Sequence, residues 1–148
     1  MQSVEEFLAY TIKLEQDAAS RFGQLADAMD ASGNREVGKL FHRLSNASRA
    51  HLNEARARSG FREIPVMEPR DFMWPDEESP ESAAIWAADP LIGRRQALEV
   101  ALAAETAGLE YYRNIFVTTT DPEIKMLARQ FVDEESGHVT ALQKSLAI

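Results

Sequence analysis

The chain has 148 residues, 45% hydrophobic and 27% charged, with a formal net charge of −8 at pH 7 and no cysteine. That length suits one domain with a core that needs no staples. The missing cysteines exclude disulfides, thiolate nucleophiles and every cysteine-based zinc or iron–sulfur site.

The first helical periodicity runs from about Ser3 to Ala31, where Ser3 with Glu6 reads as a capping box and Ser32-Gly33 as a stop. The second begins at the N-cap Asn34 and ends near Ser59-Gly60. A third opens at Asp89-Pro90, with proline in the tolerated first turn, and continues to about Val117 before the helix-poor run Thr118-Thr119-Thr120. Asp121-Pro122-Glu123 opens the fourth, which runs to the C-terminus. Short turns join the first helix to the second and the third to the fourth, so each pair must be an antiparallel hairpin.

Between the hairpins lies a connection over about 60–89 that, with Pro90 at its end, takes in five of the six prolines (Pro65, Pro69, Pro75, Pro80 and Pro90). Phe61, Phe72, Trp74 and Trp86 are expected to anchor it, and Ser79-Pro80-Glu81 through Ala88 to form a short helix. Disordered linkers are poor in aromatics. The expectation is therefore an all-α four-helix bundle of residues 1–148, a single domain with one long crossover between helices two and three.

At alternating three- and four-residue spacing, each helix shows one mostly apolar stripe. Helix one gives Val4, Leu8, Thr11, Glu15, Ala18, Phe22, Leu25 and Met29; helix two gives Val37, Phe41, Leu44, Ser48, His51 and Ala55. Helix three gives Leu91, Arg94, Leu98, Ala101, Glu105, Gly108, Tyr112 and Ile115; helix four gives Ile124, Ala128, Phe131, Glu135, His138 and Leu142. Each stripe is interrupted mid-helix by an ionisable group. Counted from Gly33, Glu15 lies 33 − 15 = 18 residues before the turn and His51 lies 51 − 33 = 18 after it. Glu105 and Glu135 lie about fifteen residues to either side of Thr119–Thr120, and helical rise therefore brings each pair to one level.

A buried glutamate is costly unless protonated, paired or bound to a cation. Three glutamates with two histidines would repel one another, and a divalent metal removes that repulsion. Iron or manganese suits carboxylate plus imidazole, with zinc also compatible. Glu135 and His138 stand one turn apart on one face, the Glu-x-x-His device of carboxylate-bridged bundles. Small residues at Ala18, Ala101 and Gly108 leave room for water or a small oxidant. Tyr112 is placed either to pack in the core or to hydrogen-bond near the site. His42 falls on the opposite face of helix two and is expected at the surface, as is Arg94.

The chain also repeats internally: Glu15 through Leu25 parallels Glu105 through Ile115, and Leu44 through His51 parallels Phe131 through His138. In these residues it resembles the rubrerythrin branch of the ferritin-like di-iron carboxylate family, across all four helices. That family carries a glutamate on helices one and three and Glu-x-x-His on helices two and four. The resemblance implies a non-haem di-iron site reacting with peroxide or oxygen. Glu15 and Glu105 would be terminal ligands, His51 and His138 would each bind one metal, and Glu135 would bridge. The departure is Ser48, which stands where the helix-two motif has its glutamate and leaves three anionic ligands in place of four. A single metal on Glu105, Glu135 and His138 is the reduced version of the site.

Two functions compete on this reading. One is a di-iron oxidoreductase, reducing peroxide or oxidising ferrous iron, and dependent on an external electron donor because no rubredoxin-type cysteines are present. The other is a metal-binding or metal-sensing bundle, without catalysis and with one metal, because Ser48 breaks the site. An interaction scaffold without metal would have no use for five donors at one level. A homodimer is expected. The acidic balance argues against nucleic acid and anionic membranes. No apolar run is long enough to span a bilayer, and Met1–Glu6 has no leader pattern, so the cytoplasm is the expected location.

Overall fold

The computed structural model describes residues 3–74, 89 and 91–147. Its four long helices are α1 (Val4–Ala31), α2 (Arg35–Ser59), α3 (Arg94–Thr118) and α4 (Pro122–Leu146). Among the described residues, a 3₁₀ turn at Pro69–Asp71 interrupts the connection between α2 and α3. The result is a four-helix bundle of two antiparallel hairpins, with contacts concentrated within α1–α2 and within α3–α4. No described helix is long and apolar enough to cross a membrane.

The ends of the helices follow from local chemistry. Ser3 Oγ accepts from Glu6 N at 3.1 Å, and Asp121 Oδ1 accepts from Glu123 N and Ile124 N, so Ser3 and Asp121 cap α1 and α4, the Ser3 half of the expected capping box being the one formed. Gly33, at φ 87°, supplies the left-handed residue that turns α1 into α2. Asn34 occupies the N-cap position of α2 but does not cap it with its side chain. Its Nδ2 instead donates to Ile92 O at 2.8 Å, tying this turn to the start of the second hairpin.

α3 begins later than Asp89-Pro90. Asp89 Oδ1 accepts from Leu91 N at 2.9 Å, a local turn that competes with helix, and Gly93 is extended at φ −84°, ψ 168°. The helix starts only at Arg94. In consequence Ile92, 3% exposed, enters the core, while Leu91 is 89% exposed. The expected stripe of α3 holds only from Leu98 onward; Arg94 is exposed and pairs with Glu36 at 3.5 Å.

The described ends of the long connection sit at opposite ends of the bundle. At one end Arg62 ion-pairs with Glu5 and Glu123, and at the other Ile92 meets Asn34. Phe72 and Trp74 stack on each other and both pack edge-on to Tyr10, whose hydroxyl accepts from Met73 N at 2.9 Å. Phe61 is fully exposed and anchors nothing: it follows Gly60, whose φ of 49° turns the chain away from α2. Trp86, Pro75, Pro80, Pro90 and the expected short helix from Ser79 lie outside the described residues.

Two apolar clusters fill the interior. One gathers Phe22, Met29, Val37, Phe41, Leu98 and Leu142 near the α1–α2 turn. The other gathers Phe7, Leu8, Leu14, Tyr112, Ile124 and Phe131 near the α3–α4 turn. Between them lies a polar layer of Glu15, Ser48, His51, Glu105 and Glu135, each no more than 7% exposed. The mid-helix interruptions of the four stripes have become one stratum.

Candidate metal centre

The ionisable groups reach the layer from all four helices because rigid helical rise sets each one's level from the nearest turn. Glu15 comes from α1, His51 from α2, Glu105 from α3, and Glu135 with His138 from α4. All five sequence-derived ligand candidates meet. His51 Nδ1 lies 3.4 Å from Glu15 Oε1 and 3.3 Å from Glu135 Oε1. His138 Nδ1 lies 3.5 Å from Glu105 Oε2 and 3.8 Å from Glu135 Oε2. The two imidazoles stack at 5.5 Å with planes 13° apart, and both present Nδ1 to Glu135, with Glu15 beside His51 and Glu105 beside His138. Glu135 faces both rings. His138 is less enclosed than its stripe position implied, since its side chain is 36% exposed.

Tyr112 does both of the things its position allowed. It is fully buried, stacked on Phe131, and its hydroxyl donates to Glu15 Oε1 at 3.3 Å. Ser48 is buried on the inner stripe of α2, one turn before His51, and offers a hydroxyl where a carboxylate would complete the layer. His42 lies half-exposed away from the layer, with Nε2 2.9 Å from Asp30 Oδ2.

Electrostatics show what the layer lacks. Burial pushes the Glu105 carboxyl up to about 8, reinforced by its contact with Glu135. Burial also raises Glu15, against the pull of His51. For Glu135, burial is outweighed by Glu105, His138 and His51, which hold its carboxyl below the usual carboxylate range. Glu105 and Glu135 thus act as a pair in which Glu105 carries the proton. Burial would lower His51, but Glu135 and Glu15 drive it up to about 11. Glu105 and Glu135 likewise drive His138 to about 10 against burial.

Even so, Glu15 Oε2, Glu105 Oε2 and Glu135 Oε2 are buried without a hydrogen-bond partner among the described residues. Each orphaned acceptor costs about 1–3 kcal/mol, and a shared cation could satisfy all three. The geometry suits one: ligand atoms of His51, Glu135 and His138 lie within 4.8 Å of one another. Two donors held at about 2.1 Å by one ion stand up to roughly 4 Å apart, so small side-chain movements close the set. This trio differs from Glu105, Glu135 and His138, the single-metal set suggested by the sequence. His51 Nδ1 stands 3.3 Å from the shared carboxylate, and its ring stacks on that of His138.

A solved structure has the same architecture. The crystal structure of an uncharacterised conserved protein from Magnetospirillum magnetotacticum MS-1 matches with a TM-score of 0.76 and 32% sequence identity, over 98% of this chain and 94% of that one. The chain belongs to that conserved protein's family. No family model and no curated protein matches the chain. With 98% of the chain covered, the likeness to this family takes in both hairpins.

One residue of this family member escaped the stripe analysis. Glu134 precedes Glu135 and places Oε2 2.9 Å from His51 Nε2, on the side of the ring away from Glu15 and Glu135. It is one-third exposed and off the apolar stripe, so a search for buried charge passes over it. A cavity of about 280 Å³ between α2, α3 and α4 has His138 in its wall with Val37, Leu40, Leu44, Leu98 and Leu142. Of the five ligand candidates, His138 alone lines it among the described residues.

Proposed function

We propose that this chain is a rubrerythrin-like metal-binding bundle. In this reading it holds non-haem iron on Glu15, His51, Glu105, Glu135 and His138 and acts as an oxidoreductase, reducing peroxide or oxidising ferrous iron. The observation that carries the reading is the set of three buried carboxylate oxygens without hydrogen-bond partners, at one level with two imidazoles that turn Nδ1 toward them. Bound iron would supply electrons to an oxidant together with Lewis acidity. The chain's own residues do the rest. Glu135 is placed to serve both imidazole positions. Glu15 is held in place by Tyr112, and Glu105 carries a proton at neutral pH that it can yield to the site. The two apolar clusters exclude bulk water above and below the layer. Electrons would come from an external donor, since the chain has no cysteine to hold a rubredoxin-type centre.

The decisive experiment is elemental analysis of protein loaded anaerobically with ferrous iron, followed by peroxide consumption under reducing conditions. About two irons per chain and metal-dependent turnover are expected. Protein that takes up no metal at all would end the reading.

A second reading rests on Ser48. With one carboxylate fewer in the layer, a single metal on His51, Glu135 and His138 would make the chain a metal-binding or metal-sensing protein without catalysis. One metal per chain and no peroxide consumption would favour it. In either reading the chain is expected to work in the cytoplasm as a homodimer, apart from nucleic acid and membranes.

A further inference from the structure

The cavity between α2, α3 and α4 meets the polar layer at His138 and otherwise lies outside it. Its α2 wall is Glu36, Val37, Leu40, Arg43, Leu44 and Ala47, a spacing of helical period that keeps them on one face. From Glu36 to Ala47 that face advances 47 − 36 = 11 residues, roughly 16 Å at helical rise. The space is left open by small side chains. Ala47 of α2 and Ala141 and Ser145 of α4 line it where longer residues would interlock.

This slot has apolar walls and two unlike ends. Val37, Leu40, Leu44, Leu98 and Leu142 are each no more than 9% exposed. A flat protein surface cannot reach walls so recessed, whereas a single aliphatic chain can, and burying it there is favourable. Toward the start of α3, Arg43 and Arg94 line the slot with Glu36. Arg94 pairs with Glu36 at 3.5 Å, and Arg43 has no ion pair among the described residues. Two guanidinium groups against one carboxylate make a positive mouth on a chain of net charge −8. At the inner end His138 already faces Glu105 and Glu135, whose charge repels a further anion. The described part of the long connection packs elsewhere, with Trp74 against Tyr10 of α1 and Tyr111 of α3.

We infer that this slot binds a free single-chain aliphatic carboxylate, its head at Arg43 and Arg94 and its chain along Leu40, Leu44, Leu98 and Leu142 toward His138. A guanidinium fork matches the two oxygens of a carboxylate head. The site requires no bound metal, so the inference is independent of the function proposed above.

The test titrates the metal-free full chain calorimetrically with hexanoate, octanoate and decanoate, and follows the histidine ring signals by NMR. One carboxylate per chain is expected, with affinity rising about fourfold for each added methylene. The His138 signals should shift, and those of His42, which pairs with Asp30 of α1, should not. Decyltrimethylammonium should bind about tenfold more weakly than decanoate, or less tightly still. Arg43→Gln should weaken decanoate about tenfold while leaving decanol unchanged. Ala141→Trp, at an exposed position, should fill the slot and abolish binding of both. Equal affinity for the decyl cation and decanoate would overturn the inference, as would full decanoate binding in Ala141→Trp. A dimer that decanoate dissociates would make a second copy the occupant and overturn it as well. A parent that takes up no decanoate would end it, with the metal reading left to stand on its own experiment.

Discussion

Glu135 carries more of the candidate centre than any other side chain. It is 1% exposed, lies 3.3 and 3.8 Å from the two imidazoles, and is the carboxylate held below the usual range. Glu135→Ala is therefore expected to reduce bound metal more than alanine at any other ligand position, by roughly 10- to 100-fold in affinity or more. Removing one partner of a buried ion pair also costs about 3–5 kcal/mol, so the metal-free variant should melt earlier than the parent. Full metal content in folded Glu135→Ala would refute the site. Ser48 gives the opposite experiment. It is 5% exposed and one turn before His51, as Glu135 is one turn before His138. Ser48→Glu should supply the missing carboxylate, tightening the second metal site about tenfold or more and raising iron oxidation. Unchanged second-metal affinity in a calorimetric titration would show that the residue does not serve the centre.

At the scale of the element, the sequence was legible where period and rise decide, and illegible where local hydrogen bonding competes. Equal spacing about Gly33 placed Glu15 and His51 at one level because an α-helix advances by a fixed rise per residue, whatever its side chains. The start of α3 could not be read this way. Asp89 draws Leu91 N into a turn, and Gly93 then holds an extended conformation, which shifts the first inward residue to Ile92. Glu134 escaped for a related reason: its contact crosses from α4 to α2, while periodicity describes one helix at a time. Asn34 is the most instructive case. The sequence marks it as a cap, yet its side chain reaches Ile92 O and joins the two hairpins at 2.8 Å. Asn34→Ala is expected to lower stability by about 1 kcal/mol with metal affinity unchanged, measured by chemical denaturation of metal-free protein and by zinc titration. An unchanged denaturation midpoint would mean that the tie contributes nothing.

For the whole molecule, the long connection leaves Phe61, Val66, Met73 and Leu91 among the most exposed large apolar side chains. Burying them in a second copy would remove that surface from water, so light scattering at micromolar concentration should report a dimer; a mass of 16.6 kDa throughout would contradict it.

The polar layer also ties stability to pH. In the metal-free bundle, Glu105 is raised from 4.5 to about 8, His138 from 6.5 to about 10 and His51 from 6.5 to about 11. A group whose folded value is raised stabilises fully below its unfolded value and loses that contribution as pH rises through the folded one. Between neutral and alkaline pH the metal-free fold binds more protons at these positions than the unfolded chain, so its stability must fall. Glu135, shifted the other way, loses its contribution only in acid and does not offset this trend. Metal ligation has the opposite sign, because it requires neutral imidazoles and ionised carboxylates and releases the protons held there. The melting temperatures of metal-loaded and metal-free protein should therefore diverge between about pH 6 and pH 9, with protons released on binding. Paired thermal melts across that range, and titrations in buffers of different ionisation enthalpy, measure both effects. A gap that stayed constant, or narrowed as pH rose, would show that the metal does not compete for these protons and so does not bind in the layer between the two apolar clusters.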